Sequence, residues 1–280
     1  MGAPQDCEIP NMVISEKTAA PRRILVTGSA GAVGRTVCEA LRARGHFVRG
    51  FDLLASPIAD ESIVGDLALA RDVDGAVKGV DTVVHLGATP DEADFLTELL
   101  PNNIVGVFNV FDAARRFGVM RVVGASTLQT VRGFDLKARR VRLEDGFRPT
   151  NHYGATKVFL EALGSTYAHT HNISFIGARL GWFPRTPANT AWGFGSGRAT
   201  ARVSFLSHDD TQRFFIRAVE VENVKFAIVF LSSIPVPAVS GAEEACGLDP
   251  EPARALGFMA QDRFPEGLPW RFDDAGNQLA

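Results

Sequence analysis

The stretch that decides the fold is VTGSAGAVGR, which runs from Val26 to Arg35. It places Gly28, Gly31 and Gly34 directly after the short apolar run RILVT and at the start of an amphipathic segment. Gly28 permits a tight turn, Gly31 lets a pyrophosphate approach the backbone, and Gly34 lets a helix pack close to a sheet. Phosphate charge is favoured near the amides at the start of that helix. The stretch therefore predicts a strand, a glycine-rich turn and a helix that together bind a dinucleotide.

Apolar runs and amphipathic segments alternate from this stretch to Trp182. The runs predicted as strands are RILVT, HFVRGF, SIVGD, DTVVHLGA, RVVGAS and ISFIGARLG. The segments predicted as helices are VGRTVCEALRARG, RDVDGAVKGV, NNIVGVFNVFDAARRFG and Tyr153 to about His169. Strands that alternate with helices indicate a parallel sheet covered on both faces. Right-handed crossovers would wind it into a doubly wound, Rossmann-type α/β sheet.

The alternation of predicted strands and helices ends after Trp182. The stretch FPRTPANTAWGFGSGRATARVSF that follows is rich in glycine, proline and aromatic residues and has no clear helical or strand periodicity. A helical segment, SHDDTQRFFIRAVE, and one more apolar run, KFAIVFLSS, follow. We predict a flexible tail at residues 1–21, a nucleotide-binding domain at 22–182 and a small substrate-side lobe at 183–280. Within that lobe, one strand at about residues 225–232 is expected to return to the sheet.

Composition favours a globular protein with no nucleic-acid or membrane partner. The chain has 280 residues, of which 46% are hydrophobic and 22% charged, and a net charge of -3. No apolar run approaches the roughly 18 residues that span a bilayer, and the first residues lack the pattern of a secretory signal. The three scattered cysteines, Cys7, Cys38 and Cys246, favour neither a disulfide framework nor a metal site. We expect a cytoplasmic protein that acts on a small molecule.

The stretch NHYGATK, from Asn151 to Lys157, sets a phenol beside an ammonium group. Residues four apart lie on one face of a helix, with Cβ atoms roughly 5–6 Å apart. A cation next to Tyr153 favours its phenolate, which would let the phenol act as general base in oxidation and general acid in reduction. The alternative is a tyrosine that merely packs on the Lys157 side chain. The dinucleotide turn upstream favours proton transfer.

Asp52 ends the second predicted strand, in the sequence GFDLL. A carboxylate at this place can accept hydrogen bonds from the adenosine ribose hydroxyls and would repel a 2′-phosphate. The sequence therefore predicts NAD rather than NADP as the cofactor. Arg49 is close by, but it lies before the strand end and carries less weight.

A pair of hydroxyl residues ends the fifth predicted strand, in the sequence GASTLQT. Ser126 and Thr127 would lie at the carboxyl edge of the sheet, where the ligands of such folds bind. A hydroxyl there can hold the substrate oxygen while Tyr153 moves its proton. Serine and threonine are also ordinary turn residues, so this signal is weak by itself.

Together these residues resemble the short-chain dehydrogenase/reductase superfamily, in its extended, epimerase/dehydratase-like branch. The matching pieces are TGSAGAVG, FD, GDL, VHLGA, NIVGVFNVFDAA, ASTLQT and YGATK. The resemblance implies a catalytic trio of Thr127, Tyr153 and Lys157. Thr127 is preferred to Ser126 because the second hydroxyl residue of the pair aligns best with the catalytic hydroxyl of the family. The residues implied to bind NAD are Gly28, Gly31, Ala32, Val33, Gly34, Asp52, Asp66, Leu67, Leu86, Gly87, Ala88, Ala125, Tyr153 and Lys157.

Within that branch the chain is most similar to uronate dehydrogenases, which oxidise hexuronic acids at C1 with NAD. The predicted pocket departs from their pattern after the fifth and sixth strands, and Pro90 stands where a substrate-binding serine is expected. The arginine that would bind the sugar carboxylate has no counterpart at the matching position of this chain, although Arg198 and Arg202 flank that position. A more apolar or bulkier alcohol is therefore an alternative substrate, and family analogy implies a homodimer. The side chains expected to contact the substrate are Ser126, Leu128, Gln129, Trp182, Arg198 and Arg202.

Other functions remain as alternatives. An NAD-dependent sugar epimerase would use the same trio and would regenerate its cofactor in every turnover. A non-catalytic NAD-binding regulatory protein is disfavoured because Tyr153 and Lys157 are both present. A dehydratase is disfavoured because no acid pair stands beside Thr127.

Three polar motifs have both a structural and a functional interpretation. In SHDD we favour a capping box, in which Ser207 caps a helix and Asp210 reaches back, over catalysis by His208. In NNI, Asn103 marks either a functional helix bend or an ordinary polar helix start. We expect the basic run LKARRVRLEDG to be a solvated loop rather than an anion site.

Overall fold

The computed structural model describes residues 20–237 and 246–265, together with the backbone of two short strands near the C-terminus. Its strands are β1 (Arg23–Thr27), β2 (Phe47–Asp52), β3 (Glu61–Val64), β4 (Thr82–His85), β5 (Arg121–Thr127), β6 (Arg140–Val141), β7 (Ser174–Leu180), β8 (Phe226–Leu231), β9 (Gly247–Leu248), β10 (Arg271–Phe272) and β11 (Gln278–Leu279). Its α-helices are α1 (Ala32–Ala43), α2 (Ala70–Val77), α3 (Gly106–Arg116), α4 (His152–Thr170), α5 (Pro187–Phe194), α6 (Arg198–Ser204), α7 (His208–Glu220) and α8 (Glu251–Ala255). A π-helix, Phe95–Val105, precedes α3, and two 3-10 turns are Leu128–Val131 and Leu143–Asp145. Cys7 and nearly all of the predicted tail lie outside the described residues.

Seven strands form one parallel sheet in the order β3-β2-β1-β4-β5-β7-β8. β4 and β5 are buried along their whole length. This double-sided burial explains why the sequence shows continuous apolar runs instead of alternation. The prediction of a doubly wound, Rossmann-type α/β sheet is confirmed.

Each face of the sheet packs against its own layer of helices. One core holds Val37 and Leu41 of α1 with Phe214 of α7, and the other holds Phe111 of α3 with Leu160 of α4. All five side chains are fully buried. Burial of one such side chain contributes roughly 1.5–3 kcal/mol, so this packing fixes the helices that carry the site.

The turn after β1 and the first turn of α1 each contain a glycine at which there is no room for a side chain. Gly28 has a φ of 70°, and a Cβ there would lie 2.7 Å from the Gly87 nitrogen. A Cβ on Gly34 would lie 2.0 Å from the Gly28 carbonyl oxygen. The strand order reverses between β1 and β4, which places this turn at the crevice where such sheets bind ligands.

Part of the chain after Trp182 belongs to the main sheet. α7 contributes to the same core as α1, and β8 pairs with β7, as expected for the predicted strand at about residues 225–232. Outside the sheet lie α5, α6 and the paired strands β6 and β9. α6, β6 and β9 pack on a small core that includes Val131, Val203 and Phe230. The division into a nucleotide-binding domain and a substrate-side lobe stays a prediction.

The capping box predicted for α7 forms only in part. The Ser207 hydroxyl accepts a hydrogen bond from the Asp210 amide at 2.9 Å, as expected. The Asp210 carboxylate does not reach back, because it accepts hydrogen bonds from the Ser233 hydroxyl at 2.6 Å and from the amides of Gln261 and Asp262. The reciprocal half of the prediction is wrong. The buried carboxylate instead ties α7 to the C-terminal segment.

No helix among the residues that the structure describes is long and apolar enough to cross a membrane. Cys38 and Cys246, the cysteines within that part of the chain, are buried, and burial raises the pKa of Cys38 to about 12. The described residues also contain no group of three or more His, Cys, Asp or Glu placed to hold a metal ion. The cytoplasmic location stays a prediction.

Candidate active site

A cavity of about 660 Å³ opens at the carboxyl ends of β5 and β7. Its volume lies within the range of roughly 300–1,000 Å³ that is common for small-molecule sites. Val33 of α1 lines one side, so the cavity adjoins the glycine turn. The predicted catalytic and substrate residues that line it are Ser126, Thr127, Leu128, Gln129, Tyr153 and Trp182.

Tyr153 and Lys157 lie one turn apart on the buried face of α4. The Asn151 side chain caps this helix by accepting a hydrogen bond from the Gly154 amide at 2.9 Å. Only 9% of Tyr153 and 4% of Lys157 are exposed. The Lys157 ammonium group donates to the Ala125 carbonyl of β5 at 3.0 Å and lies 5.7 Å from the centre of the Tyr153 ring. The structure thus brings the phenol and the ammonium group to one place.

Burial and nearby charges set the ionisation of this pair. The pKa of Tyr153 is raised to about 12, first by burial and then by the Asp91 carboxylate. Arg185 and the Thr127 side chain act in the opposite direction and lower this pKa. Burial lowers the pKa of Lys157 to about 8, so most of its positive charge remains at neutral pH.

The two hydroxyls at the end of β5 have different partners. The Ser126 hydroxyl donates to the Glu161 carboxylate at 2.5 Å, and this carboxylate forms a buried ion pair with Arg179 at 2.9 Å. Thr127, by contrast, lines the cavity together with Tyr153, and its side chain lowers the pKa of that phenol. This arrangement favours Thr127 over Ser126 as the hydroxyl that contacts a substrate oxygen beside the phenol.

The residues predicted to bind NAD lie at the carboxyl edge of five neighbouring strands. The glycine turn follows β1, Asp52 ends β2, Asp66 and Leu67 follow β3, and the segment from Leu86 to Ala88 follows β4. Ala125 belongs to β5. These positions extend from the edge strand β3 to β5 and include both strands at which the strand order reverses, β1 and β4.

The surroundings of the glycine turn fit a dinucleotide. The Thr27 hydroxyl accepts hydrogen bonds from the amides of Leu86 and Gly87, which holds the loop after β4 against the turn. The Asp52 carboxylate accepts one from the Ala30 amide at 3.0 Å, which fixes it beside the same turn. α1 begins without a side-chain cap, so its first-turn amides are available to a phosphate.

The structure does not bring two of the predicted substrate residues to the cavity. Arg202 donates from Nε to the Val236 carbonyl at 3.2 Å, and the Arg198 guanidinium lies 5.6 Å from the centre of the Phe264 ring. Neither of them lines the cavity. Arg185, on the loop after β7, does line it, although no sequence motif predicts it there. Its only signal in the sequence is its position shortly after the sixth predicted strand.

Asn103 lies within the π-helix, which also contains Pro101. Its side chain is 1% exposed and bonds to both the amide and the carbonyl of Thr89, at 2.8 and 3.0 Å. It also donates to the Thr156 hydroxyl of α4 at 3.2 Å. Asn103 therefore ties the loop after β4 to the helix that carries Tyr153, which favours the interpretation as a functional bend.

The parallel sheet, the glycine turn and the tyrosine–lysine pair define the protein as a dinucleotide-dependent oxidoreductase. Residues 24–182 match the model of the NAD dependent epimerase/dehydratase family. The chain belongs to this family, in the extended branch of the short-chain dehydrogenases/reductases, and it uses NAD as its cofactor.

Relatives with curated names and solved structures share this assignment. A uronate dehydrogenase of Pseudomonas syringae pv. tomato is 33% identical over 224 residues, which cover 78% of each chain. An L-arabinose 1-dehydrogenase (NAD(P)(+)) of Haloferax volcanii is 30% identical over 262 residues, which cover 86% of this chain and 96% of that protein. The crystal structure of a glucuronic acid dehydrogenase from Chromohalobacter salexigens has a TM-score of 0.73 and 30% identity, and the match covers 86% of this chain and 85% of that one.

Asp52 predicts a preference between cofactors. We expect the wild-type enzyme to use NAD at least about tenfold better than NADP in kcat/KM, because the carboxylate would repel the 2′-phosphate. Asp52→Asn removes the charge but keeps an oxygen for the Ala30 amide. It should therefore reduce the difference between the kcat/KM values for NAD and NADP. Steady-state kinetics with both cofactors measure the change. Equal kcat/KM values for NAD and NADP in the wild type would contradict this role of Asp52.

Proposed function

We propose that the enzyme oxidises a free sugar at its hemiacetal carbon, C1, by hydride transfer to NAD, with Tyr153 as the general base. The observation that carries this proposal is that Thr127 and Tyr153 line one cavity beside the glycine turn, with the Lys157 ammonium group 5.7 Å from the centre of the Tyr153 ring. The names of two relatives support it, since a uronate dehydrogenase and an L-arabinose 1-dehydrogenase match 78% and 86% of this chain.

In the proposed reaction the Thr127 hydroxyl holds the C1 oxygen of the sugar and the Tyr153 phenolate accepts its proton. As the O–H bond breaks, a C=O bond forms and the hydrogen on C1 leaves as hydride, which gives a lactone. Bound NAD supplies the acceptor for this hydride. The Lys157 ammonium group stabilises the phenolate before the proton arrives.

Net formation of NADH tests this function against the epimerase alternative. With NAD and a suitable free aldose, the purified protein should produce equimolar amounts of NADH and of a lactone or its hydrolysed acid. An epimerase would instead retain NAD and interconvert sugars without net NADH. Absorbance and chromatography of the products distinguish the two outcomes. Binding of NAD without turnover of any sugar or other alcohol would point to a regulatory protein.

Oxidation should become faster as the pH rises towards about 8, because Tyr153 must lose its proton before it can act as a base. Above that pH the gain should be limited, because Lys157 loses the charge that stabilises the phenolate. The Asp91 carboxylate raises the pKa of this phenol and Arg185 lowers it. We therefore expect Asp91→Asn to move the profile of kcat/KM against pH to lower pH, and Arg185→Met to move it to higher pH. Profiles recorded at saturating NAD measure both shifts. Shifts in the same direction, or no shift, would contradict the assignment of the base.

We further propose that a second copy of the chain covers an exposed apolar surface on the π-helix and α3. Leu96, Val105 and Phe108 are 72%, 39% and 49% exposed there, and exposed apolar patches are typical of interfaces. Light scattering after size-exclusion chromatography should show a homodimer, and Phe108→Arg should shift it to monomer. Met120→Arg, at a similarly exposed side chain before β5, should remain dimeric. A monomeric wild type would refute the proposed interface.

A further inference from the structure

A carboxylate and a guanidinium group form an ion pair within the cavity. Asp91 lies on the loop after β4 and Arg185 on the loop after β7, and both line the same space as Thr127 and Tyr153. The Arg185 guanidinium donates to one oxygen of the Asp91 carboxylate. Gln129 donates from Nε2 to the other oxygen at 3.1 Å. Both oxygens of the carboxylate are therefore engaged by neighbours from two other loops.

Local structure holds Asp91 in this position. Its φ is 61°, a left-handed conformation that few residues other than glycine adopt. The next residue, Glu92, accepts a hydrogen bond from the Tyr153 amide at 3.0 Å. Gln129 in turn accepts one from the Asn151 side chain at 2.6 Å. These contacts anchor the loop to the start of α4, so Asp91 is a fixed part of the cavity wall.

The pair offers hydrogen-bond donors and acceptors but little net charge. Arg185 has further N–H groups to donate, and the Asp91 carboxylate has further lone pairs to accept. A substrate carboxylate would have to displace Asp91 or lie beside it, and like charges placed side by side are unfavourable. Two other cations line the cavity: Lys137 lies 4.0 Å from Asp135, and Arg132, like Lys137 and Asp91, is exposed to solvent.

We propose that Asp91 and Arg185 together bind hydroxyl groups of the sugar and select a neutral aldose over a hexuronic acid. This inference rests on the proposed oxidation at C1 and names the substrate class of that site. Adjacent sugar hydroxyls both donate and accept, so they match a carboxylate that stands beside a guanidinium group. Trp182 and Phe183 line the same cavity and offer apolar faces to the C–H groups of a sugar ring.

Kinetics with matched substrates test the selection. The wild-type enzyme and NAD are given galactose or galacturonate, and glucose or glucuronate, which differ within each pair only at C6. We expect kcat/KM to be about tenfold or more higher for the neutral sugars. Asp91→Asn keeps the shape of the side chain and removes its charge, so it should raise the ratio of uronate to neutral-sugar kcat/KM about tenfold or more. Asp209→Asn, the same change at an exposed position on α7, should leave the ratio unchanged.

A wild type that turns over the uronates as well as the neutral sugars, or better, would overturn the inference and leave oxidation at C1 intact. An Asp91→Asn enzyme with normal NAD binding and an unchanged ratio would also overturn it. No NADH from any of the four sugars, or from a wider panel of free aldoses that includes pentoses, would refute the proposed function, and the inference with it. The comparison of neutral sugars with uronates in the wild type requires no variant, so it tests the inference even if Asp91→Asn does not fold.

Discussion

Replacement of Tyr153 by phenylalanine is expected to lower kcat about a hundredfold or more while NAD binding is kept. Phenylalanine preserves the buried ring and removes only the hydroxyl that would take the substrate proton. Proton transfer by a positioned side chain typically contributes about 10²–10⁴-fold, and the variant loses this factor. Lys157 keeps its hydrogen bond to the Ala125 carbonyl, so the cofactor side of the site should be unchanged.

Tyr167 provides the matched control, because it is the other of the two tyrosines in the chain and lies on the same helix. Its ring centre is 5.1 Å from that of Phe111, within the core formed with α2 and α3. Tyr167→Phe should therefore keep kcat near the wild-type value. Titration with NADH, followed by fluorescence, checks that both variants bind cofactor. If Tyr153→Phe retains most of its activity, the substrate proton goes to another group.

The second large effect concerns stability, because Glu161→Gln is expected to lower the free energy of unfolding by about 3–5 kcal/mol. The side chains of Glu161 and Arg179 are each 3% exposed, and they pair at 2.9 Å. Glutamine keeps the shape but leaves the Arg179 charge buried without its counter-charge. The rings of Phe147 and Phe230 lie 5.0 and 5.1 Å from this guanidinium, so water has little access to replace the lost partner.

Chemical denaturation of the wild type and the variant measures this difference. The double variant Glu161→Leu/Arg179→Met is the control, since replacement of a buried ion pair by apolar residues of similar volume is often neutral. This double variant should recover most of the free energy of unfolding that Glu161→Gln loses. A Glu161→Gln protein whose free energy of unfolding lies within about 1 kcal/mol of wild type would show that the pair contributes little to folding.

Local sequence patterns were sufficient for the sheet, the glycine turn and the tyrosine–lysine pair. β4 and β5 could be predicted as strands from their continuous apolar runs, because both strands are buried on both faces. The turn at Gly28 could be predicted from its glycine, because the positive φ and the nearby backbone at this position admit only glycine. The spacing of Tyr153 and Lys157 fixed their shared face as soon as the segment was taken as a helix.

Features that depend on contacts between distant segments could not be predicted in this way. Asp91 and Arg185 are 94 residues apart, and neither local pattern signals the other. Arg198 and Arg202 were expected at the cavity from their place in the sequence, but α6 directs them to an aromatic ring and a carbonyl elsewhere. The carboxylate of Asp210 was expected to complete a local cap, but the C-terminal segment supplies its partners.

Transfer of deuterium from C1 of the sugar to NAD tests the proposed reaction most directly. An aldose that carries deuterium only at C1 is incubated with the wild-type enzyme and NAD, and the cofactor is then analysed by mass spectrometry. We expect NADH that contains the deuterium, formed more slowly than with the unlabelled sugar. Unlabelled NADH, or an epimerised sugar that accumulates without net NADH, would contradict oxidation at C1.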